Sequence, residues 1–295
     1  MRFYLYATYL PVEQTVAVAQ AAERLGFHGI TIPDHVVYPF DLTTEYPYAP
    51  DPVTGRAPWD ETGEWPDPFV TTAIILGATT TLTVLNGILV LPMRDPLLVA
   101  KAIATLAAFA PGRVILGAGA GWMREEFEIL GFDFATRGPR SDDDIRILRK
   151  LWSGERVSHE SEFRSFGDLV MLPKPPGGDV PIYIGGDAKP ALRRAALLGD
   201  GILPPLSSQK KTADHLRLIG EMREEAGIDR PFDYVAAAVG FREPGRFDEL
   251  VDLGVESVHV DPFQLYVRKF GGLSLEERIE ALERYADEVL RPVNG

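Results

Sequence analysis

Asp34 and His35 stand side by side immediately after the apolar run at residues 29–32. At the C-terminal end of a parallel strand, where ligand sites gather, an imidazole can hold, protonate or hydrogen-bond a cofactor ring, because its proton moves near neutral pH. A satisfied structural hydrogen bond is the equal alternative. Gly185-Gly186-Asp187-Ala188 follows a second apolar run and precedes a helical pattern carrying Ala191, Leu192, Ala195 and Ala196. Glycines there expose backbone N–H groups beside the positive end of a helix, an arrangement that takes an anion such as a cofactor phosphate. The competing account is a tight turn with Asp187 as helix cap, a side chain that would claim the same N–H groups. Asn86-Gly87-Ile88 interrupts a third apolar run, and glycine inside a strand marks a bulge, a close ligand approach or simple small-residue packing. Gly117-Ala-Gly119-Ala-Gly121 has the spacing G-x-G-x-G, which a dinucleotide loop does not use; close approach at a strand end explains it.

Much other chemistry is excluded by what is missing. The chain has no cysteine, which removes disulfides, thiolate catalysis and thiolate-held metals together. Its five histidines, at 28, 35, 159, 215 and 259, show no metal-ligand spacing, so no metal site is expected. There is no G-x-S-x-G elbow, H-E-x-x-H pair or phosphate-binding P-loop. A formal net charge of −13, without a Lys/Arg cluster longer than a pair, speaks against a nucleic-acid partner. It also makes any multiply anionic ligand dependent on a local basic patch. No run approaches the roughly 20 apolar residues of a membrane span, and the N-terminus lacks a signal-peptide layout, so a cytoplasmic protein without a membrane partner is expected.

The elements that must position these groups alternate along the whole chain. Apolar runs at residues 3–6, 29–32, 82–91, 114–119, 182–185, 201–203, 235–239 and 257–261 read as eight buried strands, separated by amphipathic helical patterns. Asp67-Pro68 and Asp95-Pro96 each place a capping acceptor before a proline suited to a first helical turn. Ser274 and Glu277 have capping-box spacing, after which Ile279, Leu282, Ala286 and Val289 share one helical face. Gly26 and Pro111-Gly112 mark helix ends. Eight strand–helix units without a linker predict an α/β fold of the (β/α)8 TIM-barrel type, one domain over residues 1–295. Residues 36–66 depart from the short-loop rule. Their Tyr38, Phe40, Tyr46, Tyr48, Trp59 and Trp65 suit a lid or substrate wall at the barrel rim better than disorder.

Read in order, these segments resemble the luciferase-like monooxygenase superfamily, and more closely its branch of F420-dependent oxidoreductases. The stretches that carry the resemblance are Gly29-Ile-Thr-Ile-Pro-Asp34-His35, residues 91–101 with 104–106, residues 111–127, Gly131 to Arg137 with the helix to Trp152, and Ile182-Tyr-Ile-Gly-Gly186. The resemblance implies a homodimeric barrel with an isoalloxazine-like ring at the strand C-termini and its phosphate near the fifth and sixth units. Asp34 and His35 then match the acid–histidine pair beside the ring, and Gly87-Ile88 the third-strand bulge, often a non-prolyl cis peptide, that backs it. Gly185, Gly186, Asp187 and Ala188 match the phosphate turn, while Gly119 and Trp122 join the cofactor wall. One departure stands out: deazaflavin-dependent sugar-phosphate dehydrogenases carry a glutamate where this chain has Trp122, so their acid–base scheme does not transfer. Glu125 and Glu126 fit the nearer branch's pattern, with a helix cap or a structural pair as the alternative and Arg137 as the candidate partner.

The activity so implied is hydride transfer between the deazaflavin coenzyme F420 and a small organic substrate, with His35 as proton partner and Tyr38 and Trp122 as substrate walls. Two alternatives stay open. One is an FMN-dependent monooxygenase using reduced flavin and oxygen; the other is a flavin- or F420-binding protein without catalysis.

Overall fold

The computed structural model describes residues 1–48, 55–205, 208–268 and 272–295. Residues 49–54 of the long loop therefore lie outside the described residues. The eight expected strands are all present: β1 (Arg2–Tyr6), β2 (Gly29–Ile32), β3 (Thr83–Asn86), β4 (Val114–Gly119), β5 (Ile182–Gly185), β6 (Gly201–Leu203), β7 (Asp233–Ala237) and β8 (Ser257–Val260). Every neighbouring pair is parallel. The ring closes because β8 pairs with β1 at Phe3↔Val258, and β3 pairs with β4 at Val84↔Val114. The chain forms a closed (β/α)8 barrel with all strand C-termini at one rim.

The helices begin where local capping dictates. The helices are α1 (Thr15–Leu25), α2 (Pro68–Ala78), α3 (Pro96–Phe109), α4 (Arg124–Ile129), α5 (Arg137–Trp152), α6 (Lys189–Leu198) and α7 (Gln209–Glu225), and Asp67 starts α2 by accepting from the N–H groups of Phe69 and Val70. Further along lie α8 (Gly245–Val251), α9 (Pro262–Tyr266) and α10 (Leu275–Tyr285). Asp95 caps α3 in the same way, and Ser274 and Glu277 form the reciprocal box that opens α10. Gly26 ends α1 at φ +92°, a left-handed conformation that glycine adopts without a Cβ penalty.

Two apolar shells hold the barrel. Tyr4, Leu85, Ile115, Tyr183, Leu203 and Val235 fill its interior, and a larger shell joins the outer strand faces to the helices. A third cluster of Val90, Met93 and Phe127, with Ile88 against it, sits beside the rim between β3 and α4. The N-terminal end of the barrel is closed by polar groups on Asp233, whose Oδ2 accepts from Tyr183 (2.9 Å) and Ser257 (2.8 Å). That network explains why β7 starts at Asp233, two residues before its expected apolar start at 235.

Two expectations need correction. The run at 82–91 is not one strand: β3 stops at Asn86, the Gly87–Ile88 peptide is cis, and Leu89–Val90 then pairs onto β4 at Leu89↔Ala118. Between α5 and β5, Val157–Glu160 and Ser165–Leu169 form an antiparallel hairpin that the sequence pattern did not reveal. Its strands are largely exposed and polar, so they carry little apolar alternation. Asp143 anchors the hairpin to α5, accepting from His159 Nε2 (3.0 Å) and Ser161 Oγ (2.6 Å).

Candidate active site

His35 follows β2 at the C-terminal rim, and its ring is fixed from two directions. Nδ1 lies 3.0 Å from Glu126 Oε2; a carboxylate only accepts, so Nδ1 carries a proton in this contact and Nε2 is the ring nitrogen left to meet a ligand. The other oxygen of Glu126 accepts from the backbone N–H groups of Val36 (2.5 Å) and Val37 (3.3 Å). Glu126 is only 1% exposed, and among the described residues its hydrogen-bond partners all come from the His35 segment. α4 is short and places Glu126 inward next to buried Phe127, while the adjacent Glu125 faces the loop. Glu125 Oε1 accepts from Thr43 N (2.8 Å), Thr43 Oγ1 (2.7 Å) and Thr44 N (2.9 Å). Burial works to raise its pKa, but these hydrogen bonds prevail and hold it down at about 2.

The loop after β2 brings an aromatic group over His35. Trp65 lies 4.8 Å from the imidazole centroid, Trp59 5.4 Å and Trp122 6.0 Å. Tyr46 packs edge-on against both Trp122 (5.0 Å) and Trp59 (5.1 Å), and Tyr9 after β1 reaches Trp59 and Trp65. Burial pushes the phenols of Tyr6, Tyr9 and Tyr46 up, keeping them protonated donors. The buried Trp65 indole N–H has no hydrogen-bond partner among the described residues, a donor left over in this cluster. Tyr38 is placed elsewhere: its ring contact is with exposed Phe40, and it makes none with His35 or Trp122.

Asp34 turns away from its neighbour. Its two oxygens take a paired contact from Arg94 (2.6 and 2.7 Å), and Oδ2 also accepts from Val90 N (2.8 Å). It thereby ties the end of β2 to the segment after the cis peptide. Ile88, just past that peptide, projects between β4 and β5. A Cβ on Gly119 would lie 2.2 Å from Ile88 Cδ1, and one on Gly185 2.5 Å from Ile88 Cγ2. A Cβ on Gly117 would lie 1.8 Å from the Asn86 carbonyl oxygen. These glycines thus admit the broken third strand, with Gly87 itself against Thr31.

At the β5 turn, Gly186 has φ +110° and donates to Leu203 O. The competing cap on α6 is not formed: Ala188 occupies the N-cap position with no side-chain bond, and Asp187 pairs instead with Lys211. The N–H groups of Asp187, Ala188 and Lys189 donate to no described residue, so the turn offers donors beside two lysines. With Lys211 neutralising Asp187, Lys189 leaves the turn a small local positive charge in an acidic chain. Tyr48 leans over the turn, its phenol pushed up by burial and by the charge of Asp187.

Arg137 is not the partner of Glu125 or Glu126. It donates to Gly121 O (3.3 Å) and Phe134 O (3.0 Å) and stacks on the Phe134 ring. Among the described residues no cluster of His, Asp or Glu is arranged to hold a metal, and no helix is long and apolar enough to cross a membrane.

Residues 4–241 match the family model for luciferase-like monooxygenases. An uncharacterized protein of Mycobacterium tuberculosis is 36% identical over 279 residues, covering 94% of this chain and 95% of its own. An F420-dependent glucose-6-phosphate dehydrogenase of Mycobacterium avium is 29% identical over 228 residues, covering 75% of this chain and 61% of its own. Among solved structures, a monooxygenase from Streptomyces bottropensis superposes with a TM-score of 0.77 at 18% identity over the whole of both chains. The coenzyme F420-dependent tetrahydromethanopterin reductase of Methanopyrus kandleri superposes with a TM-score of 0.72 at 18% identity over 99% of each. At that identity the structural likeness speaks for the fold.

Proposed function

The chain belongs to the luciferase-like monooxygenase family, and from that premise we propose that it transfers a hydride between coenzyme F420 and a small organic substrate at the barrel mouth. The observation that carries this reading is His35, an imidazole locked by a buried carboxylate and roofed by tryptophans at the strand ends. When bound, the deazaflavin supplies the hydride chemistry. The chain's own residues supply the rest. Neutral His35 takes a proton at Nε2 from an alcohol, and its protonated form returns one to a carbonyl, while Glu126 stabilises the charge that forms on the ring. Trp59, Trp122 and Tyr46 exclude water and wall the substrate.

The features that fit the cofactor are on the opposite side. The open N–H groups from Asp187 to Lys189 suit a phosphate, with Lys211 holding the Asp187 carboxylate off them. Gly87 and Ile88 back the ring, Gly119 and Gly185 giving Ile88 its place. Asp34 acts through Arg94 as a positioning residue for that backing. The described residues of the loop after β2, 36–48 and 55–66, serve as the lid of a single luciferase-like domain, and Tyr38 lies outside the substrate wall. Exposed Val70, Ile74, Leu98 and Phe109 on α2 and α3 support a homodimer through that face.

Titrating the purified protein with F420 and, separately, FMN tests the reading through cofactor fluorescence. Micromolar or tighter binding of F420 over FMN supports hydride transfer. Preference for reduced FMN moves the chain to oxygen chemistry, and binding of neither removes the cofactor role of the Gly185 turn. Retention of F420 without turnover across a broad panel of alcohols and carbonyls would leave a binding protein.

A further inference from the structure

His259 lies on β8, two residues before the strand's end region at Asp261, and faces the barrel interior. Its ring sits edge-on to Tyr6 at 4.5 Å, and Nε2 lies 2.9 Å from Thr31 Oγ1. Thr31 Oγ1 also lies 3.2 Å from Leu5 O, a carbonyl that can only accept. The single hydroxyl proton therefore goes to Leu5, and His259 must donate to Thr31 from Nε2. Nδ1 is left unprotonated. It makes no hydrogen bond to a described residue, and His259 keeps 8% of its surface exposed, so the ring is not fully sealed.

His35 and His259 thus hold opposite tautomers, each fixed by a group on another strand or helix. The first is locked by a carboxylate through Nδ1; the second is locked by a hydroxyl through Nε2 and has no acid beside it in that contact. Burial holds the His259 pKa down at about 4, so the ring stays neutral at working pH and serves as an acceptor rather than a proton donor. Its place on β8, beside β1 and β2, puts it on the same arc of the mouth as His35.

We infer that His259 is a second ligand-binding imidazole at the barrel mouth, whose Nδ1 accepts a hydrogen bond from an O–H or N–H group of the bound molecule. The inference deepens the hydride-transfer reading and rests on it for the identity of that molecule. Two donors share this chemistry: the hydroxyl of an alcohol substrate and the imide N–H of the deazaflavin ring.

The tautomer is read first, in apoprotein labelled with ¹⁵N-histidine. NMR should show His259 protonated at Nε2 and bare at Nδ1, with Thr31→Val producing a tautomer mixture. Protonation of wild-type His259 at Nδ1 overturns the inference whatever the cofactor. Binding is read next with His259→Phe, which keeps a ring against Tyr6 and leaves Thr31 its bond to Leu5. Loss of one neutral acceptor should weaken the affected ligand about five- to tenfold. A weaker dissociation constant for F420 identifies the imide N–H as the donor. Unchanged F420 affinity with a raised KM for 2-propanol or another secondary alcohol identifies the substrate hydroxyl. No change in either overturns the inference while leaving F420 hydride transfer intact; failure of wild-type protein to bind F420 sinks that parent reading instead. If the phenylalanine variant does not fold, Thr31→Val measured with the same two ligands decides the matter, since its tautomer mixture should weaken one of them and an unchanged pair overturns the inference.

Discussion

On one side of the barrel mouth, over β1, β2 and β8, side chains that titrate or hydrogen-bond converge: Tyr6, Tyr9, Thr31, His35, His259 and Asp261. On the other, over β3, β4 and β5, the chain offers glycines at 87, 117, 119 and 185: Ile88 fills the space at 119 and 185, the Asn86 carbonyl that at 117, and Thr31 lies against 87. The first side works by fixing proton positions through distant partners. The second works by shape, since each missing Cβ is space that a specific atom already occupies. Together they describe a site in which a flat ligand can be backed by apolar contact and approached from the opposite side by polar groups.

The contrast can be broken most severely at Gly117. A methyl group there meets the Asn86 carbonyl, which is backbone and cannot rotate aside, so Gly117→Ala should cost about 4 kcal/mol in chemical denaturation. A cost below about 1 kcal/mol would mean that the close approach of β3 and β4 is not essential. On the polar side the main loss is of activity: His35→Ala should keep the fold and lower turnover about a hundredfold, while the buried Glu126 oxygen left without its partner lowers the melting temperature by a few degrees. Unchanged turnover would take the imidazole out of the mechanism.

Gly119→Ala should have a smaller effect than Gly117→Ala, about 2 kcal/mol, because the clashing atoms belong to the Ile88 side chain. Combining it with Ile88→Ala should recover much of that loss; strictly additive costs would show that the two residues do not share the space. Glu125→Gln probes the loop that joins the two sides. Its folded pKa of about 2 lies below the ordinary 4.5, so the Glu125 contribution is present above 4.5 and is lost as pH falls toward 2. Tryptophan fluorescence of the loop should therefore change across that window in the wild type and much less in Glu125→Gln. Tyr38→Ala, which removes a half-buried ring beside exposed Phe40, should move stability by less than about 1 kcal/mol and leave turnover alone.

The glycine side was legible in the sequence as spacing, since glycine at a strand end is a local signal, but its partner was not. Nothing near Gly119 or Gly185 names Ile88. The eight strands and the proline-led helix starts were legible for the same reason: apolar runs and caps are written within a few residues. His35 could be singled out by its position after β2. Its partner Glu126 lies 91 residues away, and the signal available was a pair of glutamates at the start of a short helix beside apolar Met123 and Phe127. Asp34 shows the opposite error, for its adjacency to His35 suggested a shared role, while Arg94 claims both its oxygens. The convergence of Tyr46, Trp59 and Trp65 on His35 is a property of how a long loop folds back, which composition predicts only as an aromatic lid. His259 had no motif around it at all; its tautomer depends on Thr31, contributed by a strand at the other end of the chain.

The most direct test of the central claim is an anaerobic reaction of the protein with F420 and a panel of small secondary alcohols, followed by cofactor absorbance. Hydride transfer predicts that the oxidised deazaflavin band disappears without oxygen, at a rate that falls about a hundredfold in His35→Ala. Turnover that requires oxygen and reduced FMN, with no reaction of F420 under nitrogen, would contradict it.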